Sequence, residues 1–386
     1  MKKRKAILII LLVAFALTTA AQRTISGRIT DAETGEAIPG TSVFIAGTTV
    51  GIAADSAGYY KLIIPGPGSY KLAASYVGYQ PVFHDIESGK MSTRLDVIMN
   101  YFELEEVTVS AKVKSRKEDV NIFWETILGM KPTKNKIFAA NPKDVFFYYN
   151  KGTNKLTVTC PVPIQIFNLE TGYHIEYILK RFTHDYNTIK SSWEAQFKFN
   201  ELKPVNIIQE NTWEKNREKI YNVSIVKFIK SLYNERLREN GFIFLKIDSL
   251  SIGDITVKKD SLNRLLQKGI ENYLTIDSIE NTKFLYIPSD SRSRFALFCF
   301  GEPIKKEDES DIFFIQKKLK FTPKLNEISI NDIFINELKT PNGPVQIFPD
   351  GSYKNALEFS QLLFSKGLTG LNMTLPKDFL PYMVAE

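Results

Sequence analysis

Between Ile25 and Tyr76, apolar and polar residues alternate in short bursts separated by turn chemistry. Ile25, Gly27 and Ile29 share a period of two before Asp31 to Gly35 makes a turn, and Val43 and Ile45 repeat the pattern up to Gly47. Asp55-Ser56-Ala57-Gly58 then leads into Tyr60, Leu62 and Ile64. After Pro65-Gly66-Pro67-Gly68 the alternation resumes with Tyr70, Leu72, Ala74 and Tyr76. A period of two with a turn roughly every ten residues predicts a small all-β sandwich. Glycines 40, 47, 51, 58 and 78 fall where a positive φ or a tight bend is needed.

From residue 121 onward the texture changes. Leu156, Val158 and Cys160 alternate, as do Tyr173, Ile175, Tyr177 and Leu179, and then Trp193, Ala195, Phe197 and Phe199, which predicts antiparallel strands. From Trp213 to Asn240 the apolar positions (Ile220, Val223, Ile225, Val226, Ile229, Leu232, Leu237) take helical spacing, and Gly241 ends the run as a C-cap. A second helix is expected from Asp260, with Leu262, Leu265, Leu266 and Ile270 on its buried face. Further strands are expected at 283–287, 295–300, 312–321 and 328–335. The chain therefore reads as multidomain: an N-terminal all-β sandwich (22–100), a charged linker (101–120), and an α+β domain with a mostly antiparallel sheet (121–386).

The first 21 residues stand outside this fold. Lys2, Lys3, Arg4 and Lys5 precede the apolar run Ala6 to Leu17 and the small residues Thr19-Ala20-Ala21, the three-part pattern of a secretory signal. That run falls short of the ~20 apolar residues a helix needs to span a bilayer, so an exported chain without a transmembrane span is expected. Without those four basic residues the formal charge of +7 drops to +3, and no nucleic-acid partner follows from it. Lys112, Lys114, Arg116 and Lys117 then read as a solvated linker. The two cysteines, Cys160 and Cys299, could pair in an oxidising compartment or stay as buried thiols; spacing does not choose between them.

The sequence holds few reactive constellations. There is no H-E-x-x-H, G-x-S-x-G, Walker loop, dinucleotide fingerprint or C-x-x-C. His84-Asp85-Ile86-Glu87 spells H-x-x-E, but it follows the sandwich strands, and only His174 and His184 remain as further imidazole donors. His184 and Asp185 are adjacent in a strand and so point to opposite faces. Acidic pairs such as Glu105-Glu106 and Asp308-Glu309 read as solvated loops. Trp124, Trp193 and Trp213 could form a sugar-stacking platform, although core or seam packing is the expected use. No catalytic, metal or cofactor residue is assigned, and no cofactor is expected.

Two resemblances sharpen this picture. The phrase "GRITDAETGEAIPGTSVFIAGTTVGIAADSAGYYKL", followed by "YKLAASYVGYQP", resembles the carboxypeptidase regulatory-like domain over residues 24 to 99, which implies a transthyretin-like sandwich serving as an accessory module. The pattern departs from that family at Ile52-Ala53-Ala54, where a Thr before the Asp is usual. Glu105-Glu106-Val107-Thr108-Val109 resembles the segment after this domain in TonB-dependent outer-membrane receptors, and also their TonB box. An extended segment of that kind binds by adding a strand to a partner's sheet edge, which makes Glu105, Glu106, Val107 and Val109 the candidate partner-binding residues; the alternating Val107 and Val109 also fit the last strand of the sandwich, the stronger reading of the two. The remaining ~270 residues cannot supply a receptor's plug and barrel. Phrases such as "NPKDVFFYYNKGTNKLTV" and "GPVQIFPDGSYKN" resemble exported proteins that carry the same domain with a C-terminal region of unassigned function. The expected function is a non-catalytic binding or assembly protein of a Gram-negative envelope, periplasmic or outer-membrane associated, with envelope proteins as partners. An adaptor of a TonB-dependent receptor and a glycan-binding or hydrolytic protein are the alternatives.

Overall fold

The computed structural model describes residues 23–248 apart from 65–67, 87–91, 103–114, 130–131 and 134–135. Beyond those it describes 266–269, 274–279, 282–285, 293–300, 303–304, 320–322, 327–329, 334–339, 345–351, 353–354, 358–361 and 375.

The N-terminal strands are β1 (Thr24–Asp31), β2 (Ser42–Ile45), β3 (Gly51–Ala53), β4 (Tyr59–Ile63), β5 (Tyr70–Ser75), β6 (Val82–Ile86), β7 (Ser92–Arg94) and β8 (Val97–Met99). They form two sheets, one ordered β4-β1-β7 with β8 also on β1, the other β3-β2-β5-β6. The alternation of β1 is realised strictly, every second residue being buried. Ile25 and Ile29 meet Val43, Ile45, Leu62, Leu72, Val97 and Met99 between the sheets.

One local irregularity explains a glycine. Strands β7 and β8 both run parallel to β1 and are interrupted at Leu95-Asp96. There the Leu95 carbonyl turns over Gly27, so close that a Cβ on residue 27 would lie 1.8 Å from that oxygen. The Asp96 carboxylate replaces the missing strand carbonyl by accepting from Arg28 N (2.9 Å), and Tyr60 Oη donates to Leu95 O (2.6 Å). Of the five glycines expected at bends, 40, 47, 58 and 78 have φ between 73° and 86°. Gly51 instead lies in β3, where a Cβ would sit 2.8 Å from that of Phe44.

The second region opens with helix α1 (Lys117–Leu128), which begins inside the segment expected to be linker. Five strands follow: β9 (Ile137–Ala139), β10 (Phe146–Asn150), β11 (Lys155–Thr159), β12 (Ile164–Asn168) and β13 (Tyr173–Asp185). Then come β14 (Lys190–Glu201) and helices α2 (Ile207–Asn222) and α3 (Ile225–Tyr233). The long β13 is the spine of this sheet. On one side it pairs with β11 and β12, and on the other with β14 along almost its whole length. A bulge at Lys180 sets Leu179 opposite Ala195 and Arg181 opposite Glu194, which leaves both Leu179 and Phe182 on the buried face. Phe123, Trp124, Ile127 and Leu128 of α1 cover that face.

The other face of the sheet receives the sandwich. Ile178 packs on Phe44 and Ala73, with Phe83 alongside. The loop after β2 adds to the edge of β14: Gly47 N donates to Phe197 O (2.7 Å) and Phe199 N donates to Thr48 O (3.0 Å). Phe44 is thus buried against the alternation of β2, because both faces of that strand are covered.

Beyond Gly241 the described elements are β15 (Phe242–Asp248), β16 (Leu266–Gly269), β17 (Leu274–Ile279), β18 (Thr282–Leu285), β19 (Ser293–Cys299), β20 (Lys320–Thr322), β21 (Glu327–Ser329), β22 (Phe334–Lys339), β23 (Val345–Ile347), β24 (Tyr353–Lys354) and β25 (Glu358–Gln361). They form sheets ordered β16-β15-β19-β22-β25 and β17-β18-β23-β24, and a β20-β21 pair. Every pairing described from β9 onward is antiparallel.

Two helix expectations are corrected. The run from Trp213 to Asn240 is two helices, because Ser224 turns its hydroxyl to Tyr221 O and accepts from Lys227 N, capping a new helix. Glu235 at φ 59° then ends α3's turn, and a single 3-10 turn leads to Gly241 at φ 83°. The helix expected from Asp260 does not include Leu266, which begins β16 paired with β15; residues 260–265 and Ile270 lie outside the described residues. Among the described residues no helix is long and apolar enough to cross a membrane.

Candidate functional site

Glu105, Glu106, Val107 and Val109 lie outside the described residues, as do residues 1–22. His84 sits in β6 opposite Leu72, Asp85 pairs with Lys71 (2.8 Å), and Glu87 is outside the described residues. Among the described residues no three His, Cys, Asp or Glu side chains come together as a metal site. His174 approaches Gln165 Oε1 (2.6 Å) and stacks on Phe167; burial holds its pKa below the ordinary value. Cys160 and Cys299 are both buried free thiols, and burial pushes Cys160 up to about 11. Trp124 and Trp213 are buried, whereas Trp193 is 49% exposed.

The densest polar cluster lies where α1 meets the β13–β14 hairpin. Asp119 is only 2% exposed, and its carboxylate accepts two bonds from Arg116 (Nη2 2.6 Å, Nε 2.9 Å). Tyr186 Oη, from the hairpin turn, donates to Asp119 Oδ1 (2.5 Å). The Arg116 guanidinium lies 3.4 Å from the Tyr149 ring centre and 4.9 Å from that of Tyr186. His184 packs edge-on to Tyr186 and meets Ser191 Oγ through Nδ1 (2.9 Å). Burial alone would raise the Asp119 carboxyl, but the bonds from Arg116 and Tyr186 outweigh it and hold the pKa below the ordinary value. Burial and the Asp119 bond push the Tyr186 phenol up. Both groups are thereby fixed in their ordinary protonation states at neutral pH, which suits a clamp and not an acid–base pair. Arg116, read from the sequence as part of a solvated run, is instead the clamp's cation. Asp185, on the opposite face from His184, turns to Lys155 (3.3 Å) and to the N–H groups of Asn187 and Thr188.

A second clamp faces the other end of the sheet. Trp213 Nε1, Asn216 Nδ2 and Arg217 Nε of α2 donate to the carbonyls of Leu169, Glu170 and Thr171, fixing the β12–β13 turn. Between the clamps runs β14, which among the described strands pairs with β13 alone and meets the sandwich loop at residues 197 and 199. Residues 197 and 199 turn their main-chain groups toward the sandwich loop, so by alternation those of Ser191, Trp193 and Ala195 also face away from β13. Trp193 lies beside this open stretch, stacked on Phe182.

In the sandwich, Asp31 gathers its own turn. Its Oδ1 accepts from Glu33 N, Thr34 N and Thr34 Oγ1, and its Oδ2 accepts from Tyr79 Oη (2.9 Å), whose ring stacks on Tyr101. The Thr34 amide bond is the main cause that holds this carboxyl low.

Residues 25–109 match the model of the CarboxypepD_reg-like domain. A TonB-dependent receptor of Formosa agariphila is 30% identical over 123 residues, which are 31% of this chain and 12% of the receptor, so the chain spans only a small part of that relative. Among solved structures, the 5-hydroxyisourate hydrolase of Klebsiella pneumoniae aligns at 17% identity over 20% of this chain and 90% of its own, with a TM-score of 0.18. A putative membrane-associated protein of unknown function from Bacteroides fragilis aligns at 11% identity over 48% and 84%, also at 0.18.

Proposed function

Since the chain carries a CarboxypepD_reg-like domain over residues 25–109, we propose that it is a non-catalytic protein of the cell envelope that binds or assembles other envelope proteins. The observation that carries this reading is the docked sandwich. Its loop at Gly47-Thr48 is bonded through the main chain to β14, and Phe44 and Ala73 are buried against Ile178, so the accessory module braces one end of the β14 edge and leaves the Ser191–Ala195 end without a described strand partner beyond β13. The buried carboxylate supports it too, because Asp119 is engaged with the half-buried Arg116 and with Tyr186. Crosslinking in intact cells, followed by mass spectrometry of the purified chain, tests the reading. Envelope proteins are expected among the conjugates; a chain that stays in the cytoplasmic fraction with cytoplasmic neighbours rejects it.

The receptor relative favours a second reading, in which the chain is an adaptor of a TonB-dependent system. Glu105 to Val109 would then pair with the sheet edge of the coupling protein's C-terminal domain. Calorimetry with a peptide of these residues decides it: no heat of binding removes the adaptor reading and leaves the first one standing.

A further inference from the structure

We infer that the open stretch of β14 is the contact surface for a second copy of this chain, paired antiparallel about a two-fold axis through Ser192. Three observations carry the inference. First, the main-chain groups of Ser191 and Trp193 face away from β13, Ser192, Trp193 and Glu194 are exposed, and among the described residues no main-chain group outside β13 bonds to them. An unpaired edge of this kind is a template for another strand.

Second, the sequence is complementary to itself in this register. A two-fold at Ser192 sets Ser191 opposite Trp193 of the second copy, and Trp193 opposite its Ser191, which gives about four main-chain hydrogen bonds. On one face it sets Lys190 opposite Glu194 of the second copy, twice, so unlike charges meet across the seam, with Glu194 shared between that lysine and the Lys180 it already pairs with (2.9 Å). On the other face the two Trp193 rings become diagonal neighbours, within reach of each other.

Third, the available length fits. The sandwich loop occupies the edge from residue 197 onward. The same two-fold carries residue 196 onto 188, inside the turn between β13 and β14, so the second strand bends away where the loop takes over. The contact therefore continues an interface that this chain already makes with itself. It is small, and association on the order of 10 µM is expected from it.

Ser192→Cys tests the register directly. Facing residues of a non-hydrogen-bonded antiparallel pair have Cα atoms ~4.5 Å apart, within disulfide range. The two native cysteines are buried and do not compete. The full chain carrying Ser192→Cys is expected to give a covalent dimer on mild oxidation that reductant dissolves. Sedimentation equilibrium of the unaltered chain should show a dimer forming with concentration. Lys190→Glu should weaken it about tenfold, and adding Glu194→Lys should restore it. A monomer at every concentration up to about 100 µM overturns the inference, as does a dimer that Lys190→Glu leaves unchanged. If the Ser192→Cys chain captures a different polypeptide in cells while the isolated chain stays monomeric, that result also overturns it and assigns the edge to that partner.

Discussion

Asp31 in the sandwich and Asp119 on the second sheet are both buried carboxylates held below their ordinary pKa, yet they are satisfied in opposite ways. Asp31 takes its hydrogen bonds almost entirely from its own turn, two from main-chain N–H groups and one from the Thr34 hydroxyl. Asp119 takes two from a guanidinium and one from a tyrosine 67 residues away, and these join the helix to the hairpin. The first organises a loop that its neighbours would nearly form anyway. The second ties the helix to the hairpin beside their apolar packing, and its removal leaves a half-buried guanidinium without its counter-ion. A buried carboxylate is therefore worth what its partners cannot recover elsewhere.

The largest effect is expected from a position that depends on no charge. Gly27→Ala would drive a Cβ into the Leu95 carbonyl and force β1 away from the β7–β8 break, costing on the order of 4 kcal/mol, to be read from urea unfolding. Asp119→Ala comes next. It leaves Arg116 over two rings without its counter-ion and Tyr186 Oη without an acceptor, at about 3 kcal/mol in the same measurement. The pH dependence follows the sign of the shift. A depressed carboxyl contributes stability that is fully present above the unfolded-state value of ~3.9 and is lost as pH falls toward the folded one. Stability of the unaltered chain should therefore fall below about pH 4, and Asp119→Asn should flatten that fall. An unchanged slope would mean that Arg116 is not the partner the geometry makes it.

Tyr186→Phe sharpens the contrast further. It deletes a single hydrogen bond to a buried charge, worth about 2 kcal/mol, and keeps the ring that packs on Arg116, Tyr149 and His184. Its counterpart Tyr79→Phe should cost clearly less, since Asp31 retains all three bonds from its turn. Equal losses at the two positions would show that sequence distance between partners has no bearing on the cost.

The same contrast governs what the sequence made legible. Asp31, Thr34 and Gly35 lie within five residues, so the turn, the strand before it and the sandwich could be read from order alone. Arg116 and Asp119 are equally close, but Arg116 sits among lysines and looks solvated in the sequence; what marks it as a clamp is Tyr149 and Tyr186, brought over by the β10–β11–β13 register. Helical spacing was legible across Trp213 to Asn240, whereas the break at Ser224 was not, because a hydroxyl that caps and one that merely faces water look alike in one dimension. The strand Trp193 to Phe199 was legible as alternation. Its place at the edge of the sheet, and the half-exposure of Trp193, depended on where the sandwich came to rest.

The smallest effect belongs to Asp31→Asn, and its smallness is the test. An asparagine Oδ1 can still accept from Glu33 N, Thr34 N and Thr34 Oγ1, and the Tyr79 hydroxyl can rotate to accept from the new amide where it formerly donated. The turn keeps its bonds and loses only a charge that is paired with no cation among the described residues. The urea midpoint at neutral pH is expected to shift less than for Tyr186→Phe, and the acid slope should lose only the part due to this one carboxyl. A loss as large as that of Asp119→Ala would mean that the negative charge itself, and not its oxygen atoms, holds the turn to Tyr79, and the distinction between the two sites would fail.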